Sequence, residues 1–86
     1  MVEKKGDYNM SSWGFDSFQT QHKNNPQWHI SVSYRWNKGN TYETYVGVFD
    51  SKGIEKATLF KGIYSNKESA KRSYQRQVLR IKKGEY

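Results

Sequence analysis

The stretch Trp28-His29-Ile30-Ser31-Val32-Ser33-Tyr34-Arg35-Trp36 decides the fold. Trp28, Ile30, Val32, Tyr34 and Trp36 share one parity, and His29, Ser31, Ser33 and Arg35 share the other. Successive side chains of an extended chain point to opposite faces, so this alternation predicts a strand with one apolar and one polar face. Its β-branched and aromatic content suits a pleated, half-buried surface. Asn37-Lys38-Gly39-Asn40 follows, with the composition of a hairpin loop.

Working outward, residues 41–50 predict a second strand, with Val46 and Val48 on one face and Tyr45 and Phe49 on the other. Ser51-Lys52-Gly53 makes the next turn. Residues 54–64 predict a third strand: Ala57, Leu59 and Ile63 share one face, interrupted by Lys61, and Lys56, Thr58 and Phe60 share the other. The period then changes. Ser65 or Asn66 caps a helix over residues 67–83, whose apolar face is Ala70, Tyr74, Val78 and Ile81, widened by Leu79. Upstream, Lys23-Asn24-Asn25-Pro26 reads as a break. Residues 13–22, with Ser12 as cap, predict a short helix that Gly14 weakens. The expected architecture is α+β, a three-stranded antiparallel sheet packed against one C-terminal helix, with a short N-terminal helix. Residues 1–12 are expected to be a flexible segment and residues 13–86 a single domain. The helix should cover the Trp28, Ile30, Val32 series together with Val46, Val48, Leu59 and Ile63.

The chain has 86 residues, a formal charge of +7 and 16% aromatic residues. Basic disordered tails are poor in rings, so this pairing of charge and aromatics indicates a folded domain with rings available for a surface. The charge itself speaks to partners: phosphate backbones, acidic proteins or anionic membranes. No run of residues is long and apolar enough to span a bilayer, so no membrane partner is expected. The first ten residues lack the apolar core of a signal peptide, and cysteine is absent; both point to a cytoplasmic protein without disulfides.

Catalysis finds little support. His22 and His29 have no identifiable partner residues, and no carboxylate pair has motif spacing. No enzyme activity, cofactor or metal is therefore expected. Binding has more support. The polar face of the sheet should show His29, Ser31, Ser33, Arg35, Tyr45, Phe49, Lys56, Thr58 and Phe60, which interleaves cations, hydroxyls and rings. A twisted antiparallel sheet of that kind enters a major groove or offers rings to unpaired bases, with Arg35 suited to guanine. A competing expectation is that Trp13, Phe15 and Phe18 fold over Tyr45, Phe49 and Phe60 as a second small core. The helix adds a basic face: Lys67, Lys71, Arg72, Arg76, Arg80, Lys82 and Lys83 are opposed by Glu68 alone. A face built only for solubility mixes both signs, so this one suits phosphate contacts. Loop lysines Lys38 and Lys52 would flank a bound duplex.

The stretch Tyr64-Ser65-Asn66-Lys67-Glu68-Ser69-Ala70-Lys71-Arg72-Ser73-Tyr74 resembles the end of the ethylene-response-factor DNA-binding domain of plants. It is also similar to the arm-binding domain of tyrosine recombinases. Gly62, Tyr64, Asn66, Glu68, Ala70 and Tyr74 carry the likeness, which covers residues 28–83. It implies a three-stranded sheet in the major groove, read by Arg35, Tyr45, Lys56 and their neighbours. The chain departs from the plant domain in lacking an arginine-rich first strand. A rival resemblance is to the double-stranded-RNA-binding domain, whose order is helix, three strands, helix. Asn66-Lys67-Glu68-Ser69-Ala70-Lys71 is similar to its phosphate-gripping turn, with Glu68 where that family has lysine.

The expected function is non-enzymatic nucleic-acid binding, to DNA before RNA, through Arg35, Lys38, Tyr45, Phe49 and Lys56 on the sheet side and Lys67, Lys71, Arg72, Arg76 and Arg80 on the helix. An acidic protein bound by Tyr45, Phe49 and Phe60 is the expectation from a different class. The oligomeric state is open between monomer and dimer.

Overall fold

The computed structural model describes residues 14–86. The expected flexible segment 1–12 and Trp13 lie outside the described residues. Four strands precede one helix: β1 (Gly14–Gln21), β2 (His29–Trp36), β3 (Tyr42–Phe49), β4 (Glu55–Tyr64) and α1 (Lys67–Lys82). The strands form one antiparallel meander in chain order. Local chemistry sets the corners. Gly39 (φ 70°) and Gly53 (φ 83°) take the left-handed conformations that the two hairpin turns require. Asp50 tightens the second turn by accepting from the Lys52 and Ile54 backbone N–H groups, each at 2.9 Å. Asn66 is extended and accepts from the Ser69 N–H at 2.9 Å, which starts α1 where the sequence places it.

The core lies between the sheet and α1. Ile30, Val32, Tyr34, Val46 and Val48 face Ala70, Tyr74 and Ile81, and Val32 and Val46 are wholly buried. Burying such an aliphatic side chain contributes roughly 1.5–3 kcal/mol. Three polar residues share this interface, and each has a hydrogen-bond partner. The Thr44 hydroxyl donates to the Ala70 carbonyl at 2.8 Å, the Tyr64 hydroxyl donates to Ser73 Oγ at 2.8 Å, and the Tyr86 hydroxyl donates to Gln77. Unpaired, they would oppose folding; paired, they fix the position of the helix on the sheet.

The structure corrects several expectations. The sheet has four strands, because residues 14–21 pair with β2 from Gly14↔Arg35 to Gln21↔His29 instead of forming a helix. Phe15 and Phe18 fall in the segment expected to be helical. A register shift between Gly14 and Asp16 lets both lie on the helix side of a strand. They therefore do not cover the polar sheet face.

In β4 the two faces are exchanged relative to expectation from Leu59 to Tyr64, whereas a register shift opposite Val46 and Gly47 keeps Ala57 opposite Val48 and Thr58 on the open face, as expected. Phe60 and Tyr64 pack toward the core, opposite Val46 and Tyr42, whereas Leu59 and Ile63 are exposed. Both parities of this strand carry apolar residues, so alternation alone does not choose; pairing with β3 does. Gly62 helps. A Cβ there would lie 2.5 Å from the Tyr64 hydroxyl, so only glycine lets Tyr64 fold across the strand to reach Ser73. On α1, Leu79 is exposed (55%) rather than part of the apolar face, and Val78 is half-buried. Trp36, expected with the apolar series, is 40% exposed.

Candidate nucleic-acid interface

Two surfaces carry the predicted site residues, and they lie on opposite sides of the molecule. The first is the outer face of α1. Ala70, Ser73, Tyr74, Gln77 and Ile81 point to the sheet, which turns Glu68, Arg72, Gln75, Leu79 and Lys83 outward. At 3.6 residues per turn, these outward positions make one ridge along the helix. Cations stand on both flanks of it. Lys67 and Lys82 lean toward β1, with Nζ 4.2 Å from the Phe15 ring centroid and 5.3 Å from that of Phe18. Arg80 lies on the other flank, held by Glu85 at 3.1 Å and by the Tyr86 ring at 4.7 Å. Among the described residues, the side chains of Lys71, Arg72, Arg76 and Lys83 make no hydrogen bond, ion pair or ring contact, and all four are exposed.

The second surface is the open face of the sheet. Arg35 is there, as predicted, but it is occupied. Its Nε and Nη2 both lie 3.0 Å from Glu43 Oε1, and Lys61 Nζ lies 3.7 Å from Glu43 Oε2. Glu43 is buried, so its carboxylate is screened from solvent by the two cations that it neutralises. The Arg35 guanidinium also covers the Tyr45 ring at 5.5 Å. Tyr45 in turn donates to Glu55, as does the Thr58 hydroxyl at 2.8 Å, and the two hydroxyl oxygens lie 2.9 Å apart. Burial and the adjoining Glu55 carboxylate push the Tyr45 phenol above its ordinary pKa, while the hydrogen bond from the phenol holds Glu55 below its own. His29 and Phe49 stack with centroids 5.7 Å apart. Tyr45 and Phe49 close over Gly47, where a Cβ would come within 3.0 Å of both rings.

Arg35, Tyr45 and Phe49 are thus brought together on one face. Two other predicted members are absent from it: Phe60 faces the core, and Lys56 lies beside Trp28, its Nζ 5.9 Å from that ring. Lys38 is exposed in the β2–β3 loop, away from this cluster. Glu43 is the residue that sequence reasoning missed. Its position two before Tyr45 puts it on the same face, and pairing of β2 with β3 sets it opposite Arg35. Charges on the open face cancel: Arg35 and Lys61 against Glu43 and Glu55.

Among the described residues no helix is long and apolar enough to cross a membrane. Comparison with known protein families, with curated proteins and with solved structures finds no match to this chain.

Proposed function

We propose that this chain is a non-enzymatic nucleic-acid-binding protein that holds duplex DNA against the outer face of α1. The observation that carries this reading is the contrast in charge pairing: Lys71, Arg72, Arg76 and Lys83 are exposed and unpartnered among the described residues, whereas Arg35 and Lys61 are neutralised by Glu43. Cations without internal partners are the ones that can neutralise phosphates and release condensed counterions. From Arg72 to Lys83 the helix rises about 16 Å, enough to follow several consecutive phosphates. The open sheet face is a secondary contact surface on this reading, since a bound strand would first have to displace Glu43 from Arg35.

Docking of an acidic protein on Tyr45, Phe49 and Phe60 needs three rings on one face, and Phe60 lies on the other. The helix face serves that partner class less specifically than it serves a regular array of phosphates.

The test is a titration of labelled 20-base-pair DNA and RNA duplexes between 50 and 200 mM salt. Four phosphate contacts predict a slope of log K against log salt of about −3 to −4. Arg72→Ala/Arg76→Ala should reduce that slope by about 2, while Arg35→Ala leaves it unchanged. The reading fails if neither duplex binds more tightly than an unrelated basic protein of equal charge. A clear preference for RNA would move the target class but keep the surface.

A further inference from the structure

A helix face made only to hold phosphates would be cationic along its crest. This one is not. The outermost residues of α1 and its C-cap run Glu68, Arg72, Gln75, Leu79, Lys83, at intervals of four, three, four and four. Leu79, exposed at 55%, sits near the middle of that crest with positive charge on either side. The cations that flank it are divided between two sides, Lys67, Lys71 and Lys82 toward β1 and Arg76 and Arg80 away from it. The crest is therefore chemically mixed, and the cations stand mainly on its flanks, with Arg80 paired to Glu85.

Such a layout matches the cross-section of a B-DNA major groove. The groove is about 12 Å wide and 8.5 Å deep, and a helix with its side chains is about 10–12 Å across. Phosphate backbones border the groove on both sides, where the flanking cations would stand, and the base edges form its floor, where the crest would point. Each central crest residue also has a base-edge partner. Gln75 suits the N6 donor and N7 acceptor of adenine, and Leu79 offers apolar contact to the thymine methyl. The neighbouring layer leaves room for entry. α1 packs mainly over β2, β3 and β4, and the β1 shoulder beside it carries Phe15 and Phe18 under Lys67 and Lys82, with the Asp16 carboxylate near enough to Tyr74 to act on it electrostatically.

We infer that α1 is a recognition helix that enters the major groove of duplex DNA and reads sequence with Gln75 and Leu79, while Lys67, Lys71, Arg72, Arg76 and Lys82 position it on the flanking phosphates. This rests on the proposed function and goes beyond it, because phosphate binding alone carries no sequence information. It also places the sheet away from the DNA, the reverse of what the resemblance to the plant and recombinase domains implies.

The experiment is selection of bound duplexes from a random-sequence pool at 150 mM salt, followed by affinity measurements on the enriched and scrambled sites. The wild-type chain should enrich a short motif. Gln75→Ala and Leu79→Ala, both at exposed positions, should each lower affinity for the enriched site by on the order of 5- to 100-fold and relax one base position. Neither should alter the salt slope or affinity for the scrambled duplex, and circular dichroism should show the fold retained. Enrichment that Arg35→Ala or Tyr45→Phe relaxes instead would overturn the inference in favour of the sheet. Salt-dependent binding with no enrichment would overturn it while leaving the proposed function intact. Absence of DNA binding at low salt would remove both.

Discussion

The open face of the sheet and the outer face of α1 have similar raw materials and opposite electrostatics. Each carries arginine and lysine, yet on the sheet a buried glutamate binds both cations, and on the helix the basic residues outnumber Glu68 and Glu85 together. The difference teaches that counting basic residues does not locate a binding surface. What matters is which of them the fold leaves without a partner. A cation already satisfied at 3.0 Å must give up that ion pair before it can contact phosphate; one that ends in water gives up only hydration and releases a counterion from the nucleic acid.

The comparison breaks most readily by reversing charge. Arg72→Glu/Arg76→Glu should weaken binding of a 20-base-pair DNA duplex by on the order of 100-fold or more at 0.1 M salt. Lys61→Ala on the sheet should change it by no more than about 3-fold in the same anisotropy assay. Equal losses from the two variants would show that both faces touch the duplex.

Stability distinguishes the faces in the opposite sense. Glu43→Gln removes the carboxylate that holds Arg35 and Lys61, and urea denaturation should report a loss of about 1–2 kcal/mol. That is less than the roughly 3–5 kcal/mol of a fully buried pair, because Arg35 and Lys61 are substantially solvated. Adding Arg35→Ala to it should cost less than the two single changes summed, since the coupling is already gone. By contrast Lys71→Ala, with no partner to lose, should leave the denaturation midpoint almost unmoved.

A smaller effect tests how far the helix surface depends on its own start. Asn66→Ala deletes the cap on the Ser69 N–H and should destabilise the domain by about 1 kcal/mol. Excess DNA should recover most of the lost thermal stability, because ligand binding favours the folded state.

The smallest effect expected is in acid. Hydrogen bonds from the Ile54 and Lys52 backbone hold the Asp50 carboxyl below its ordinary value of 3.8, and those from Tyr45 and Thr58 hold Glu55 below 4.5. Carboxyls with lowered folded-state pKa values stabilise above the unfolded value, and that contribution is lost as the pH falls through the folded one. Hydrogen exchange should therefore show the β3–β4 hairpin loosening below about pH 4 while α1 keeps its protection. Loosening that begins near neutrality would point to a group other than Asp50 and Glu55.

Much of this fold can be read along the chain. The alternation in residues 28–36 gives β2 and its faces, Gly39 and Gly53 mark the hairpin turns, and Asn66 marks the start of α1. Where the reading strayed, two local patterns competed. Ser12 suits a helix cap ahead of residues 13–22, and the pairing of residues 14–21 along β2 outweighed it. Leu59 and Ile63 compete with Phe60 and Tyr64 for the core, and the pairing of Val46 with Phe60 decided between them. The candidate site divides in the same way. The basic helix face was legible because its residues recur on a single element, whereas the neutralisation of Arg35 was not, because Glu43 belongs to another strand.

By itself, then, the sequence determined what depends on near neighbours: the periodicity of β2 and α1, the turns, the cap and the total positive charge. Only the tertiary structure decided the identity of β1, the inward face of β4 and which cations stay free. Those outcomes depend on strand register, and a shift of one residue in register sends every side chain of a strand to the opposite face.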